Sequence, residues 1–242
     1  MIVTGLTHVG NVRSTNEDTV LIAAGEMPRY ALVADGMGGH AAGEVASSVA
    51  AAAIREYIER LGCESLDEDQ IVDAFQYAND QILQHMAAHP EHSGMGTTLT
   101  FAYMEDRSLT VGHVGDSSAY LAKNGGLKKI TRDHTYVQKL IDTGAIRAEA
   151  AADFPFRNVI TRALGTSPLQ VDIYKEQWMP GDLLLLCSDG LTAYADRDHL
   201  LAELASGDSA PEIAQRLLDF ALEQGGRDNI SVIVAENPDG KA

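Results

Sequence analysis

The sequence predicts an α+β fold of mainly antiparallel sheets with helix layers on sheet layers. Three observations predict it. Successive strand-like runs are joined mostly by short turns, which favours antiparallel pairing. Helical patterns come in pairs rather than after every strand, which opposes a doubly wound βαβ series. The 242 residues are 45% hydrophobic and contain no block of like charge, no Pro/Ser-rich linker and no fixed-period repeat, so one domain over 1–242 is expected.

The chain opens with strand-like runs at 2–9, 18–24 and 30–36. A helix follows from about Ala41 to Leu61. Its apolar stripe is Val45, Val49, Ala53, Tyr57 and Leu61, with Ala46, Ala50, Ile54 and Ile58 alongside and Arg55, Glu56, Glu59 and Arg60 opposite. Gly62 suits the C-cap. Ser65 and Glu68 read as a capping box. The second helix carries Ile71, Phe75, Ala78, Ile82 and Met86 and ends near Pro90. Strands return at 97–104, 108–115 and 117–123, and Asn124-Gly125-Gly126 gives a tight hairpin turn into 127–130. A mixed segment from about Thr131 to Thr166 holds a short helix with Val137, Leu140 and Ile141. Strands at 171–179 and 182–190, helices at about 196–205 and 210–224, and a last strand at 229–236 complete the pattern.

Composition excludes several classes. Lys and Arg number 18 against 35 Asp and Glu, a net charge of −17, which opposes a nucleic-acid partner. That charge reads as solubility, or as carboxylates gathered by bound cations. The N-terminus lacks the basic-then-apolar pattern of a signal peptide, and no apolar run approaches the ~20 residues that span a bilayer. A cytoplasmic location without a membrane partner is expected. Two cysteines, Cys63 and Cys187, oppose a disulfide scaffold and a Cys-rich zinc site. His85, His89 and His92 read as a solvated helix end rather than a zinc site.

Asp35 ends an apolar run, and four glycines follow within eight residues. Gly36 to Ala41 matches G-x-G-x-x-[GA]. A dinucleotide site, however, needs a second parallel strand with an acid at its end, and here a helix runs into another helix. Asp35 would also repel a pyrophosphate. Its place beside a glycine instead exposes two side-chain oxygens and a bare backbone carbonyl, which suits a hard cation. Asp116, Asp189 and Asp228 stand in similar places, between an apolar strand and a Gly- or Ser-bearing turn. One Asp in a turn means little. Four, two of them in Asp-Gly steps, point to a common rim. Clustered carboxylates repel unless cations neutralise them, and oxygen donors favour Mg²⁺ or Mn²⁺. Two such ions ~4 Å apart can turn a shared water into hydroxide, machinery for attack at phosphorus. Arg13 suits the phosphoryl oxygens through its bidentate fork, with Asn16, Glu17 and Asp18 close behind it. His40 is the natural acid for an alkoxide leaving group, or simply a polar residue at a helix start.

With these residues in hand, the sequence resembles the metal-dependent serine/threonine protein phosphatases of the protein phosphatase 2C family, in its compact bacterial form. The landmarks occur in family order: RSTNED (13–18), VADGMGGHAAGE (33–44), GMGTT (94–98), HVGDSSAY (113–120), DHT (133–135), ITRALG (160–165), LLLCSDGL (184–191) and GGRDNISVIV (225–234). The resemblance implies a central β-sandwich of two mainly antiparallel sheets flanked by helix layers (α-β-β-α), with a small flap segment, and it implies that Asp35 bridges two metals, Mn²⁺ or Mg²⁺. The Gly36 carbonyl would sit on one, and Asp189 and Asp228 on the other. Asp116 would serve a third, weaker site shared with Asp189. Arg13 would bind the substrate phosphate, His40 would act as general acid, and Glu17, Asp18 and Asn229 would act through coordinated waters or bonds to the ligands.

The resemblance further implies hydrolysis of phosphoserine and phosphothreonine in phosphorylated proteins, reversal of a Hanks-type kinase, and a monomer. The segment 135–166 corresponds to the variable flap, a place for substrate choice. Ser118 stands where many bacterial relatives carry Arg, which puts that Arg's substrate contact in doubt. A cysteine mechanism is excluded, because the C-x5-R positions after Cys187 and Cys63 hold Ala193 and Asp69. Two other readings remain, a non-catalytic relative that binds phosphoproteins and a phosphodiesterase using the same metals. Intact metal ligands favour catalysis.

Overall fold

The computed structural model of the protein describes residues 1–25, 27–38, 42–151, 154–156 and 158–237. One sheet has the order β1-β11-β10-β7-β8: Ile2–His8, Ile230–Glu236, Leu183–Cys187, Ser118–Lys123 and Gly126–Lys129. The other has the order β2-β3-β5-β6-β9: Asp18–Ala23, Tyr30–Met37, Leu99–Met104, Ser108–Val114 and Asp172–Gln177. A short β4, Gly96–Thr97, pairs with the end of β3. Every ladder among the described residues is antiparallel, as the short turns require. Asn124 and Gly125 take positive φ angles of 52° and 71° in the tight turn between β7 and β8.

Strands buried on both faces read as continuous apolar runs. β10 shows why: its four leucines and Cys187 alternate between two cores. Leu184 and Leu186 face the layer between the sheets, with Ala31, Val33, Val111 and Trp178. Leu185 and Cys187 face the layer under α5 (Arg197–Leu204) and α6 (Ala210–Glu223). A third core lies between the other sheet and α1 (Ala42–Leu61) and α2 (Glu68–Ala88).

Three local readings change, in α1, at the start of α2 and after β10. The buried stripe of α1 is Ala46, Ala50, Ile54 and Ile58, joined by Ala53 of the expected row, while Val45, Val49, Tyr57 and Leu61 are only partly covered. Small residues take the sheet-facing side because they let the helix backbone approach closely. The capping box of α2 uses Asp67 and Gln70 rather than Ser65 and Glu68, with Gln70 N donating to Asp67 Oδ1 at 2.8 Å and Asp67 N to Gln70 Oε1 at 2.9 Å. A short helix α4, Asp189–Thr192, follows β10 directly. His85, His89 and His92 engage one another: His85 Nε2 lies 2.9 Å from His92 Nδ1, and the His85 and His89 rings stack at 4.4 Å.

The segment between β8 and β9 carries α3, Tyr136–Asp142, which is N-capped by Thr135. Its two stems meet through a Thr135–Ile160 bridge, and Leu164 pairs with Thr97.

Candidate active site

The candidate acids come from separate segments and meet where the two sheets open at one rim. Asp18 and Asp35 are cross-strand partners on β2 and β3. Thr98 locks Asp35 in place: its Oγ1 accepts from Asp35 N at 3.0 Å, and its N donates to Asp35 O at 2.9 Å. The same hydroxyl lies 2.8 Å from Ser117 Oγ, which brings the Asp116 turn alongside. From the other sheet, Ser188 Oγ donates to Asp18 Oδ2 at 2.8 Å and accepts from Ser231 N at 2.9 Å. The next residue is Asp189, close enough for its charge to act on the Asp35 carboxyl.

Two glycines permit this convergence. A methyl group at Gly36 would lie 2.0 Å from Gly43 O and 2.6 Å from Glu17 O. At Gly190 it would lie 1.9 Å from Asn229 O. In both places a backbone passes where a side chain would stand.

Asn229 is a buried hub. Its Nδ2 donates to Val9 O and Thr15 O, both at 2.9 Å, and its Oδ1 accepts from Glu17 N at 2.8 Å. The loop bearing Arg13 and Glu17 is thereby tied to the strand after Asp228. Arg13 Nη2 donates to Asp228 Oδ2 at 2.9 Å across a half-exposed pair. Glu17 O accepts from Gly36 N at 3.1 Å and from Ser47 Oγ at 2.6 Å.

The electrostatics follow from enclosure. Burial, then Asp18, Asp189, Asp116 and Asp228, push the Asp35 carboxyl well above its ordinary range, although part of its surface opens to the rim. Burial and then Asp189 and Asp133 push Asp116 up to about 7. Burial and then Asp228 push Asp189 to about 6. Asp18 reaches about 6 through burial, against hydrogen bonds from Ser231 and Ser188. Glu17 is raised, first by burial. Such groups hold protons or are neutralised by cations. Arg13 is held above its ordinary value, chiefly by the Asp228 hydrogen bond.

The donor set is all oxygen and anionic, which fits Mg²⁺ or Mn²⁺. Asp18 Oδ1 is buried without a partner. Among the described residues no three His, Cys, Asp or Glu side chains already surround one point, and Asp228 is turned to Arg13. An ion there would compete with Arg13 for the Asp228 carboxylate.

A cleft of about 400 Å³ runs from the acids to the flap, lined by Asp116, Asp133, Thr135, Val137, Asn158 and Asp189. His40 lies outside the described residues. Ser118 is 1% exposed on β7 and opposite Cys187, so it offers no surface to a substrate. Sequence reasoning missed Thr98, Ser117, Ser188 and Asp133. The signal that could have found them was their place inside the landmark motifs GMGTT, HVGDSSAY, LLLCSDGL and DHT, where no role was assigned to them.

The protein phosphatase 2C family profile matches residues 5–231. The serine/threonine protein phosphatase PstP of Mycobacterium tuberculosis is 39% identical over 235 residues, covering 94% of this chain and 43% of that protein. The chain therefore spans less than half the length of that relative. The serine/threonine phosphatase stp of Listeria welshimeri is 37% identical over 95% of this chain and 93% of its own length. The crystal structure of the PstP catalytic domain in complex with two manganese ions superposes with a TM-score of 0.86 at 35% identity, covering 98% of both chains.

Proposed function

The chain belongs to the protein phosphatase 2C family, and from that premise we propose that it hydrolyses phosphoserine and phosphothreonine in phosphorylated proteins. The observation that carries this reading is the convergence of Asp35, Asp116, Asp189 and Asp228, from separate segments, on one partly open rim. In this reading Asp35 and the Gly36 carbonyl hold one divalent cation. Asp35, Asp189 and Asp228 hold a second, and Asp116 with Asp189 a third, weaker one. Cations bound there supply a lowered water pKa and an electrophilic pull on phosphoryl oxygens. The PstP complex with two manganese ions supports Mn²⁺ as the natural first choice.

The chain's own residues do the rest. Arg13 leaves Asp228 and turns its planar fork to two phosphoryl oxygens. Asp18, Glu17 and Asn229 keep the acids in place through Ser188, Gly36 and the 9–15 loop. His40 gives a proton to the departing serine or threonine oxygen. The chain acts as a single phosphatase domain, and the flap over 135–166 borders the cleft and selects among substrates. No described helix is long and apolar enough to cross a membrane. A monomeric cytoplasmic enzyme that reverses a Hanks-type kinase suits this reading.

Incubation with Mn²⁺ and a phosphothreonine peptide tests it, with a cyclic dinucleotide as control. Phosphate release from the peptide alone is expected. Turnover of the cyclic dinucleotide alone would make the protein a phosphodiesterase. Tight phosphopeptide binding without release would make it a non-catalytic module.

A further inference from the structure

We propose that His134 is a positioning residue. As a neutral imidazole with its proton on Nε2, it clamps the base of the flap to the Gly115–Asp116 turn and so sets where the Asp116 carboxylate stands. The consequence for cation binding rests on the reading of Asp116 as a ligand.

The geometry is specific. His134 N donates to Gly115 O at 2.7 Å, and Gly115 N donates back to His134 Nδ1 at 3.1 Å. The ring nitrogen that accepts cannot carry the proton, which therefore sits on Nε2. Nε2 lies 3.1 Å from Asp172 Oδ2, at the start of β9. Arg162 Nη1 donates to Asp172 Oδ1 at 2.9 Å, and Tyr174 Oη to Oδ2 at 3.3 Å, so the acceptor is itself fixed. Arg162 Nη1 also approaches Nε2 to 3.2 Å, and its positive charge disfavours a second proton on the ring, which would have to sit on Nδ1 against the Gly115 N–H. Burial, foremost, holds the imidazole below its ordinary pKa. Asp172 is held low by His134 and Arg162 although burial opposes them.

His134 also gathers both stems of the flap. Its carbonyl accepts from Thr161 N at 2.7 Å, beside the Thr135–Ile160 bridge. On the other side the Gly115 turn has no slack. It takes a φ of +113°, and a methyl there would lie 2.5 Å from the Thr98 side chain. The Asp116 turn is thus held between Thr98, which binds Asp35, and His134, which binds the flap. Movement of the flap base is carried to Asp116 through one imidazole.

Size and hydrogen bonding can be separated by substitution. In His134→Asn the side-chain oxygen occupies the place of Nδ1 and still accepts from Gly115. In His134→Gln the amide lies one carbon further out and leaves that N–H unpartnered. Imidazole ¹⁵N shifts of the unmodified, cation-free chain should show Nδ1 bare and Nε2 protonated at neutral pH. Hydrogen exchange at the Gly115 amide should rise roughly tenfold in His134→Gln and stay near wild type in His134→Asn. Calorimetry with Mn²⁺ should show the weakest site lost or weakened in His134→Gln alone, with the tighter sites kept.

The opposite tautomer or an imidazolium overturns the clamp, and this arm needs no variant to fold. A Gln variant as protected as wild type also overturns it, since that is what a merely space-filling role predicts. A loosened Gly115 with unchanged Mn²⁺ binding overturns the link to Asp116. If the wild-type chain releases no phosphate from a phosphopeptide, the phosphatase reading fails, whereas the tautomer and exchange results still decide the clamp.

Discussion

Asp18→Asn should stabilise the cation-free protein at neutral pH, although it deletes a charge that accepts a hydrogen bond. Asp18 is 7% exposed, with one oxygen bonded to Ser188 and the other without a partner. Burial foremost lifts its carboxyl from 3.8 to about 6, against hydrogen bonds from Ser231 and Ser188 and with help from Asp189 and Asp228. The folded chain therefore holds this proton more tightly than the unfolded chain does. The resulting stability is fully present below about pH 4 and is lost as pH rises through about 6. At about 1.4 kcal/mol per pH unit, the loss by neutral pH is about 3 kcal/mol. An amide of the same shape has no proton to lose and still accepts from Ser188. For a chain of this length about 3 kcal/mol corresponds to roughly 6–12 °C in melting temperature. Thermal unfolding in chelator at about pH 4 and about pH 7.5 measures it. The two proteins should melt alike in acid, and the variant higher at neutral pH. Equal or lower melting of Asp18→Asn at neutral pH would refute the account of the enclosed acids.

Asp189→Asn should abolish phosphopeptide turnover and weaken Mn²⁺ binding while circular dichroism stays unchanged; full activity at limiting Mn²⁺ sinks its place as a ligand. Arg13→Ala should raise KM more than it lowers kcat, as loss of a ground-state phosphate contact does. A large fall in kcat at constant KM would instead make Arg13 a group acting in the transition state. Gly190→Ala places a methyl 1.9 Å from Asn229 O. It should cost about 1–3 kcal/mol in unfolding experiments and lower Mn²⁺ affinity by forcing Asp189 and Asp228 apart. Wild-type melting and affinity together would remove the close-approach argument.

Much of the scaffold was legible because its signals are local. β10 announced itself as an apolar run, and the tight turn at Asn124-Gly125 by its residue types. The strand-end acids were legible because each stands beside a break in an apolar pattern. What failed was choice among near neighbours. Two apolar rows on α1 differ by one helical step, and only the sheet beneath decides that the alanine row lies deepest. Asp67 and Ser65 are both sound caps, and the path of the preceding loop selects one. The ties that assemble the rim were illegible for another reason. Thr98 to Ser117, Ser188 to Asp18 and His134 to Gly115 join residues 19, 170 and 19 positions apart, and no periodicity encodes such pairs.

The flap leaves from β8 and returns into β9, which are edge strands of opposite sheets. Glu176 on β9 pairs with Lys128 on β8 and, at 3.4 Å, with Lys123 at the end of the adjoining β7. The two ends of the segment are thus tied to the sandwich, and to each other through Thr135 and Ile160. The described residues between α3 and Val159 carry none of the fully buried side chains of the three cores. That stretch is therefore free of the packing constraint the cores impose, and changes in its length or composition should cost the sandwich little stability.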